Sequence, residues 1–499
     1  MPVAVHGLSR AARGQRLAES RASVRHSRDR VEKYTMGRGE DGAETTSSRH
    51  VPLPATRWDG GPAGVDSHRL SVAPMLDCTD SHFRRLCRLL SKRTHLWSEM
   101  VNQDAVLYAH KTRPALLSHG TEEHPVTCQL GGASPSRLAL ASEIVVDEYG
   151  YDEVNLNCGC PSAKVVNKPD ADKRFGAALM KDAELVGECL RRMKEAVDVP
   201  VTLKHRLGVR SGSGGLHDAR GYDKESDTDG YHFVSNFVDT VHELSGVEHF
   251  IAHARCAVLG GLSTTGNRMI PPLRHEEVHQ LALDFPKLGF SLNGGVETVD
   301  DALSHLRRGT VRGVMLGRAV YKNPAVLATV DRLIYGDCDG DRKERMAGEH
   351  EQLTVAAWPT DGWRVDDRWR ERRSYFSLHD DGAADAAACV TRERVLRRFA
   401  GYGDAVLRQR VGELEKHPKA LGEARGLCKA LGGMSYGVRA GNRFKRDLEF
   451  GLQGWTKRLL AGEDAGGLSF SGLITSCVAG LGEQGVEDMR KDMENVLES

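Results

Sequence analysis

From Ser71 onward, short apolar segments recur, with polar residues at alternate positions or at their ends: "SVAPM", "HLWSEM", "PVTCQLGG", "EVNLNCGCP", "VPVTLKHRLG", "HFIAHAR", "LGFSLNGG" and "RGVMLGR". Alternation of this kind, rich in β-branched residues, marks each segment as a strand. Most are separated by stretches whose apolar residues return every three or four positions. Examples are "AELVGECLRRMKEAV" before the fifth and "VDDALSHLRRG" before the eighth, and that spacing is helical. Eight strands alternating with helices inside residues 69–336 predict an α/β fold, a (β/α)8 TIM barrel. A doubly wound sheet is the competing arrangement, but no GxGxxG follows the first strand.

Alternation also assigns faces, because successive strand residues point to opposite sides. In the fourth segment Val154, Leu156 and Cys158 turn toward the helices, leaving Asn155 and Asn157 inside. Cys160, beyond Gly159, then falls in the loop at the barrel mouth, where such barrels keep their chemistry. The same phase turns Gln129, Lys204, Arg206, His253, Arg255 and Asn293 inward. One polar strand end is commonly a satisfied structural residue. A whole ring of them at one opening costs burial free energy unless a ligand meets it. "NGG" (293–295) closes the seventh strand and "GR" (317–318) the eighth. Each glycine alone reads as a tight turn; together, with Arg318, they suit a phosphate, so the barrel is expected to hold a phosphorylated cofactor.

The remaining sequence changes the picture in three ways. Residues 1–68 lack apolar periodicity, and the first 30 hold seven Arg against one Glu and one Asp. That composition fits an organelle transit peptide and equally a disordered basic extension. Polar insertions at 168–173 and 210–230 follow strand ends, and 337–390 reads as a low-order insertion or linker. A helical pattern resumes at 391–460, where Thr391 to Arg446 carry fourteen Lys/Arg and five Asp/Glu; 461–499 reads as a tail. This gives a basic helical C-terminal domain inside a chain of zero formal net charge, which excludes a uniformly basic binder. Eleven irregularly scattered cysteines point to reduced thiols in an intracellular protein, with cytoplasm and organelle both open. Cys158 and Cys160 have no second Cys/His pair at zinc-finger spacing, so no metal is expected. No apolar run approaches the roughly 20 residues that span a bilayer.

Taken in order, "APMLDCTD" (73–80), "EM" (99–100), "QLGG" (129–132), "NLNCGCPS" (155–162), "KHRLG" (204–208), "HAR" (253–255), "NGG" and "GR" resemble the tRNA-dihydrouridine synthases. "GLSTTGNRMIPPL" (261–273) is similar to the DusA-type subfamily, which modifies positions 20 and 20a of the D-loop. The resemblance covers about residues 70–335 and, more faintly, 391–458. It implies an FMN enzyme that reduces the C5–C6 bond of a tRNA uridine with NADPH as reductant, acting as a monomer on tRNA and not on a membrane. By position, Pro74, Met75, Leu76, Gln129, Lys204, His253, Asn293, Gly294, Gly295, Gly317 and Arg318 match the family's FMN-binding residues. Cys160 matches its catalytic acid, and Asn157 and Arg268 match positions that contact tRNA. Arg443, Lys445 and Arg446 fall where the family's C-terminal helices grip tRNA, though a solvated basic helix face explains them equally.

The implied chemistry is physically coherent. Hydride from reduced FMN goes to C6, and C5 then needs a proton. A thiol, with an ordinary pKa of about 8.5, is mostly protonated near neutrality and can donate. The buried target base must be flipped out of the tRNA elbow. Cys78, Cys256 and Thr265 depart from the family's usual Trp, Lys and basic residue, which bears on the uridine chosen rather than on the chemistry. Two other readings remain: an FMN barrel that reduces a small pyrimidine, and a tRNA-binding or chaperone protein without turnover.

Overall fold

Every one of the eight apolar segments forms a strand, and each is followed by a helix. In chain order these are β1 (Leu70–Val72), α1 (Ser81–Leu90), β2 (Leu96–Asn102), α2 (Gln103–Thr112), β3 (Val126–Gly131), α3 (Pro135–Glu143), β4 (Glu153–Cys158) and α4 (Ala183–Ala196). Then come β5 (Val201–Arg206), α5 (Tyr231–Ser245), β6 (His249–His253), α6 (His275–Asp284), β7 (Gly289–Asn293), α7 (Val299–Arg307), β8 (Gly313–Leu316) and α8 (Arg318–Lys322). The strands pair in parallel in the order β1-β8-β7-β6-β5-β4-β3-β2. A bridge between Ser71 and His95 closes the ring, with Val72 N donating to His95 O at 2.9 Å and His95 N to Leu70 O at 3.0 Å. The fold is therefore the expected (β/α)8 barrel, and closure leaves no open sheet edge.

This computed structural model describes residues 67–112, 116–162, 175–211, 228–336 apart from Gly261, 352–353, 376–377, 391–416, 421–463, 465–491 and 493. The basic N-terminal extension to residue 66, the 168–173 insertion, most of 210–230 and nearly all of 337–390 lie outside them. No helix among the described residues is long and apolar enough to cross a membrane.

Local chemistry sets each helix. In α4, Asp182 caps the start by accepting from Leu185 N, and Val186, Cys189, Leu190 and Met193 form the buried stripe. α5 stops at Gly246, whose φ of 65° carries the left-handed C-cap. Helix α1 is different, since it buries Phe83, Leu86 and Leu90 on one side and His82, Arg84, Arg85 and Arg88 as well. Its arginines are tied to nearby groups, although Nε of Arg85 and of Arg88 has no partner among the described residues. Arg84 pairs with the buried Glu123 at 2.5 Å, and Arg88 donates to the carbonyls of Ser91, Lys92, Thr94 and Glu123.

The reason is that α1 is covered twice, by the barrel and by a C-terminal helical bundle. That bundle comprises α9 (Arg392–Lys416), α10 (Gly422–Ala430), α11 (Gly441–Leu460), α12 (Phe470–Ala479) and α13 (Gly482–Arg490). His82 bonds Tyr402 OH and Glu423 Oε2, each at 2.9 Å. Gly433 packs so close that a Cβ there would meet Pro324 at 2.4 Å. Residues 461–499, set apart as a tail in the sequence, carry α12 and α13. Phe470, Ile474 and Cys477 are buried, and Asp404 of α9 accepts from Phe470 N and Ser471 N to cap α12.

Candidate active site at the barrel mouth

Register brings the polar strand ends side by side. Gln129 pairs with Asn155, Asn157 with Lys204, Arg206 with His253, and His253 with Asn293. Beneath them Ala73, Trp97, Ile251 and Met315 form a small apolar layer inside the barrel, with Met75 packed against it. Above that layer the polar groups interlock. Gln129 Nε2 donates to Asn155 Oδ1 at 2.9 Å, Asn157 Nδ2 to Gln129 Oε1 at 2.8 Å, and Lys204 Nζ to Asn293 Oδ1 at 2.9 Å. His253 Nδ1 is buried without a hydrogen-bond partner among the described residues.

The two thiols of "NCGC" diverge. Cys158 is fully buried against Cys189 of α4, and desolvation pushes its thiol well above the ordinary value. Cys160 is half-buried at the mouth. Its backbone is held from several sides. Asn157 Oδ1 accepts from Gly159 N and Cys160 N, both at 3.0 Å, and Cys160 O accepts from Ala177 N at 2.9 Å. Gly176, at φ 71°, lies against that same carbonyl, and a Cβ would come within 2.6 Å of it.

Positive charge accumulates here. Burial and Arg206 pull Lys204 down to about 7. Burial pulls Arg206 down to about 10 and keeps His253 neutral, well below the ordinary imidazole value. Arg255 and Arg268 are both lowered by burial and by the neighbouring Arg318. Besides burial, Arg206 thus acts on Lys204, and Arg318 on Arg255 and Arg268, so positive charges crowd at the mouth. Beside them Gly294 (φ 100°) and Gly295 (φ 75°) follow β7, and Gly317 precedes the exposed Arg318. Such a cradle has the charge and backbone geometry to take a phosphate.

Of the residues singled out in the sequence, Gln129, Asn157, Cys160, Lys204, His253 and Asn293 come together here, with Arg268 half-buried nearby. Pro74 and Met75 sit half-buried in the loop after β1, folded by Thr79, which accepts from Met75 N; Leu76 projects into solvent at 66% exposure. Asn157 is only 9% exposed, and its amide is turned inward to the loop and Gln129. Arg443, Lys445 and Arg446 lie on the exposed face of α11, the two arginines flanking Asp447 at 3.5 and 3.8 Å. Cys256 is buried beside Asp229 and Arg274, so its departure from the family pattern alters a loop interior.

Two roles were not visible in the sequence. Arg206 is buried and pairs with no carboxylate among the described residues: its Nε donates to Gly159 O at 3.0 Å, and Nη1 donates to Cys256 O at 3.1 Å and Asn267 O at 2.9 Å. It ties the loop after β4 to two points of the loop after β6. Glu99, midway along β2, has a buried Oε1 without a partner among the described residues, and burial beside Asp80 pushes its carboxyl up. The only sequence hint was its place in "EM" at the end of "HLWSEM".

The family model described as "Dihydrouridine synthase (Dus)" matches residues 71–354. Among curated proteins, a tRNA-dihydrouridine(20/20a) synthase of Escherichia coli (strain K12) is 44% identical over 283 residues, covering 56% of this chain and 74% of that protein. The protein of the same name from Salmonella typhimurium is 43% identical over 274 residues (55% and 74%), and that of Vibrio cholerae 44% over 287 residues (58% and 79%).

Proposed function

Because the chain belongs to the dihydrouridine synthase family, and so is an oxidoreductase forming dihydrouridine in tRNA, we propose that it reduces a D-loop uridine at position 20 or 20a. FMN is the cofactor in this reading and NADPH the reductant. The residues present fit FMN on structural grounds: an apolar layer under the mouth, a buried His253 Nδ1 without a partner among the described residues, two left-handed glycines and a crowd of cations. Gln129, Lys204, His253 and Asn293 would hold its ring, and Gly294, Gly295, Gly317 and Arg318 its phosphate, with Pro74, Met75 and Leu76 closing one side. When bound, the flavin supplies the hydride.

The protein's own part is to bind, orient and protonate. Lys204, close to neutrality as a free amine, becomes a full cation beside an anionic ligand and stabilises it. Neutral His253 offers a hydrogen bond without adding charge. Cys160 Sγ supplies the proton to C5 of the uracil, from a loop whose backbone cannot drift. Arg268 at the mouth and Arg443, Lys445 and Arg446 on α11 attract the RNA phosphates.

The observation that carries this reading is the half-buried Cys160 beside the ring of Gln129, Lys204, His253 and Asn293. Cys160→Ala is expected to retain FMN and tRNA binding and to lose at least about a hundredfold in turnover, the usual loss of a general acid. Site-resolved dihydrouridine mapping in cells lacking the protein is expected to show loss at 20/20a. Loss at another position would move the site; unchanged tRNA with reduction of free uracil would replace the substrate.

A further inference from the structure

Five hydrogen bonds run from the Cys160 loop to the floor of the barrel, all pointing the same way. Cys160 N–H donates to Asn157 Oδ1 (3.0 Å), Asn157 Nδ2 to Gln129 Oε1 (2.8 Å) and Gln129 Nε2 to Asn155 Oδ1 (2.9 Å). Asn155 Nδ2 donates to Thr202 Oγ1 (2.9 Å), and the Thr202 hydroxyl to Glu153 Oε1 (2.8 Å). Both ends are one-way groups. A backbone N–H only donates, and a carboxylate only accepts. The orientation of every amide between them is therefore forced.

The far end is itself fixed. Glu153 Oε2 meets His68 Nε2 at 2.8 Å, and Oε1 also accepts from Thr127 Oγ1 at 3.2 Å, which in turn contacts His95 Nε2 at 2.7 Å. His68, His95 and Glu153 have ligand atoms within 4.8 Å of one another, as a metal site would. The two imidazoles, however, stack with centroids 4.1 Å apart and an interplanar angle of 20°. Their in-plane lone pairs run side by side and do not converge on one ion. The floor is built to receive hydrogen bonds.

We propose that Glu153 and Thr202 are positioning residues for the mouth, acting through this chain to fix the Cys160 loop and the amide edge that Gln129 presents to the cofactor. Gln129 and Asn157 are then unable to flip, because either flip sets donor against donor or acceptor against acceptor inside a dry barrel. The inference rests on the roles given above to Cys160 and Gln129, so its test must not depend on turnover alone.

Thr202→Val removes the hydroxyl at nearly constant volume, Thr202→Ser restores it, and Thr127→Val deletes a hydroxyl to the same carboxylate oxygen but off the path. Three quantities are measured on the purified, FMN-loaded full chain: the alkylation rate of Cys160 resolved by peptide mass spectrometry, the flavin absorption spectrum, and kcat and KM for tRNA. Expected for Thr202→Val are Cys160 alkylation faster by about threefold or more as the loop opens, a shifted flavin spectrum, and kcat lower by about tenfold at unchanged KM. Thr202→Ser returns all three to the parent values, and Thr127→Val leaves them unchanged despite a similar loss of melting temperature. If Thr202→Val does not fold, Glu153→Asp, which withdraws the acceptor by one methylene, must show the same pattern. Equal effects of Thr127→Val and Thr202→Val, or a folded Thr202→Val with parental alkylation and spectrum, overturn the proposal. An active Cys160→Ala would overturn only the reading of the acid, because the alkylation and spectral results stand without it.

Discussion

Arg206→Met tests whether the mouth loops are held by one buried guanidinium. The parent side chain donates to Gly159 O, Cys256 O and Asn267 O at 2.9–3.1 Å. Hydrogen bonds from a charged donor contribute about 1.5–3 kcal/mol each. Against that stands the cost of keeping the charge inside, visible in the drop to about 10, which at 1.36 kcal/mol per pH unit offsets about 3 kcal/mol. Methionine fills the space but leaves the three carbonyls without this donor, so the net loss is expected near 3–4 kcal/mol. For a domain of this size that is a fall of about 10 °C in melting temperature. Differential scanning calorimetry of the FMN-free protein measures it, with Arg206→Lys as control, since one ammonium cannot span three carbonyls and recovers less than half. Turnover should fall with the loosened Cys160 loop. A variant that melts within about 1 °C of the parent but no longer binds FMN would refute the reasoning, because Arg206 would then be a ligand contact and not a tie between loops.

Cys158→Ala should cost about 1–2 kcal/mol by melting, the cavity left by one sulfur, and keep turnover within about twofold; a dead Cys158→Ala would reverse the facing of β4. Lys204 is protonated less readily in the fold than in the unfolded chain, so between about pH 7 and 10 the unfolded state binds more protons. FMN-free Lys204→Met should therefore melt higher than the parent at pH 7, with the gap closing as pH rises toward 10, while FMN affinity drops. A gap that widens with pH would contradict the buried-amine account. Replacing Arg443, Lys445 and Arg446 together by Ala should weaken tRNA binding and lower the slope of log affinity against log salt by about 2, read by filter binding across a salt series. An unchanged slope would mean that these side chains only face solvent.

The barrel was legible because period-two alternation is a local signal. Each of the eight strands contains its own evidence, and facing followed from phase alone, so Cys158 and Cys160 separate as expected. Partners distant in sequence were not legible. Arg206 alternates like a ligand residue, yet its acceptors lie 47, 50 and 61 residues away. Glu153 and Thr202 open their strands among apolar neighbours and read as ordinary strand starts until β4 and β5 are laid side by side. Helices α12 and α13, read as a tail, are recognisable only once packed: a Cβ at Gly480 would meet Asp447 of α11 at 2.8 Å, and one at Gly485 would meet Arg439 O at 2.9 Å. At Gly403, for instance, a Cβ would strike Phe470 at 2.3 Å.

The double burial of α1 has a consequence for how a large substrate is measured. His82, in a helix that begins five residues after Leu76, ties α9 and α10 of the bundle to the barrel beside the mouth. If α11 holds RNA as proposed above, the seat between barrel and bundle, through His82, Tyr402 and Glu423, is what sets the span from that grip to Cys160.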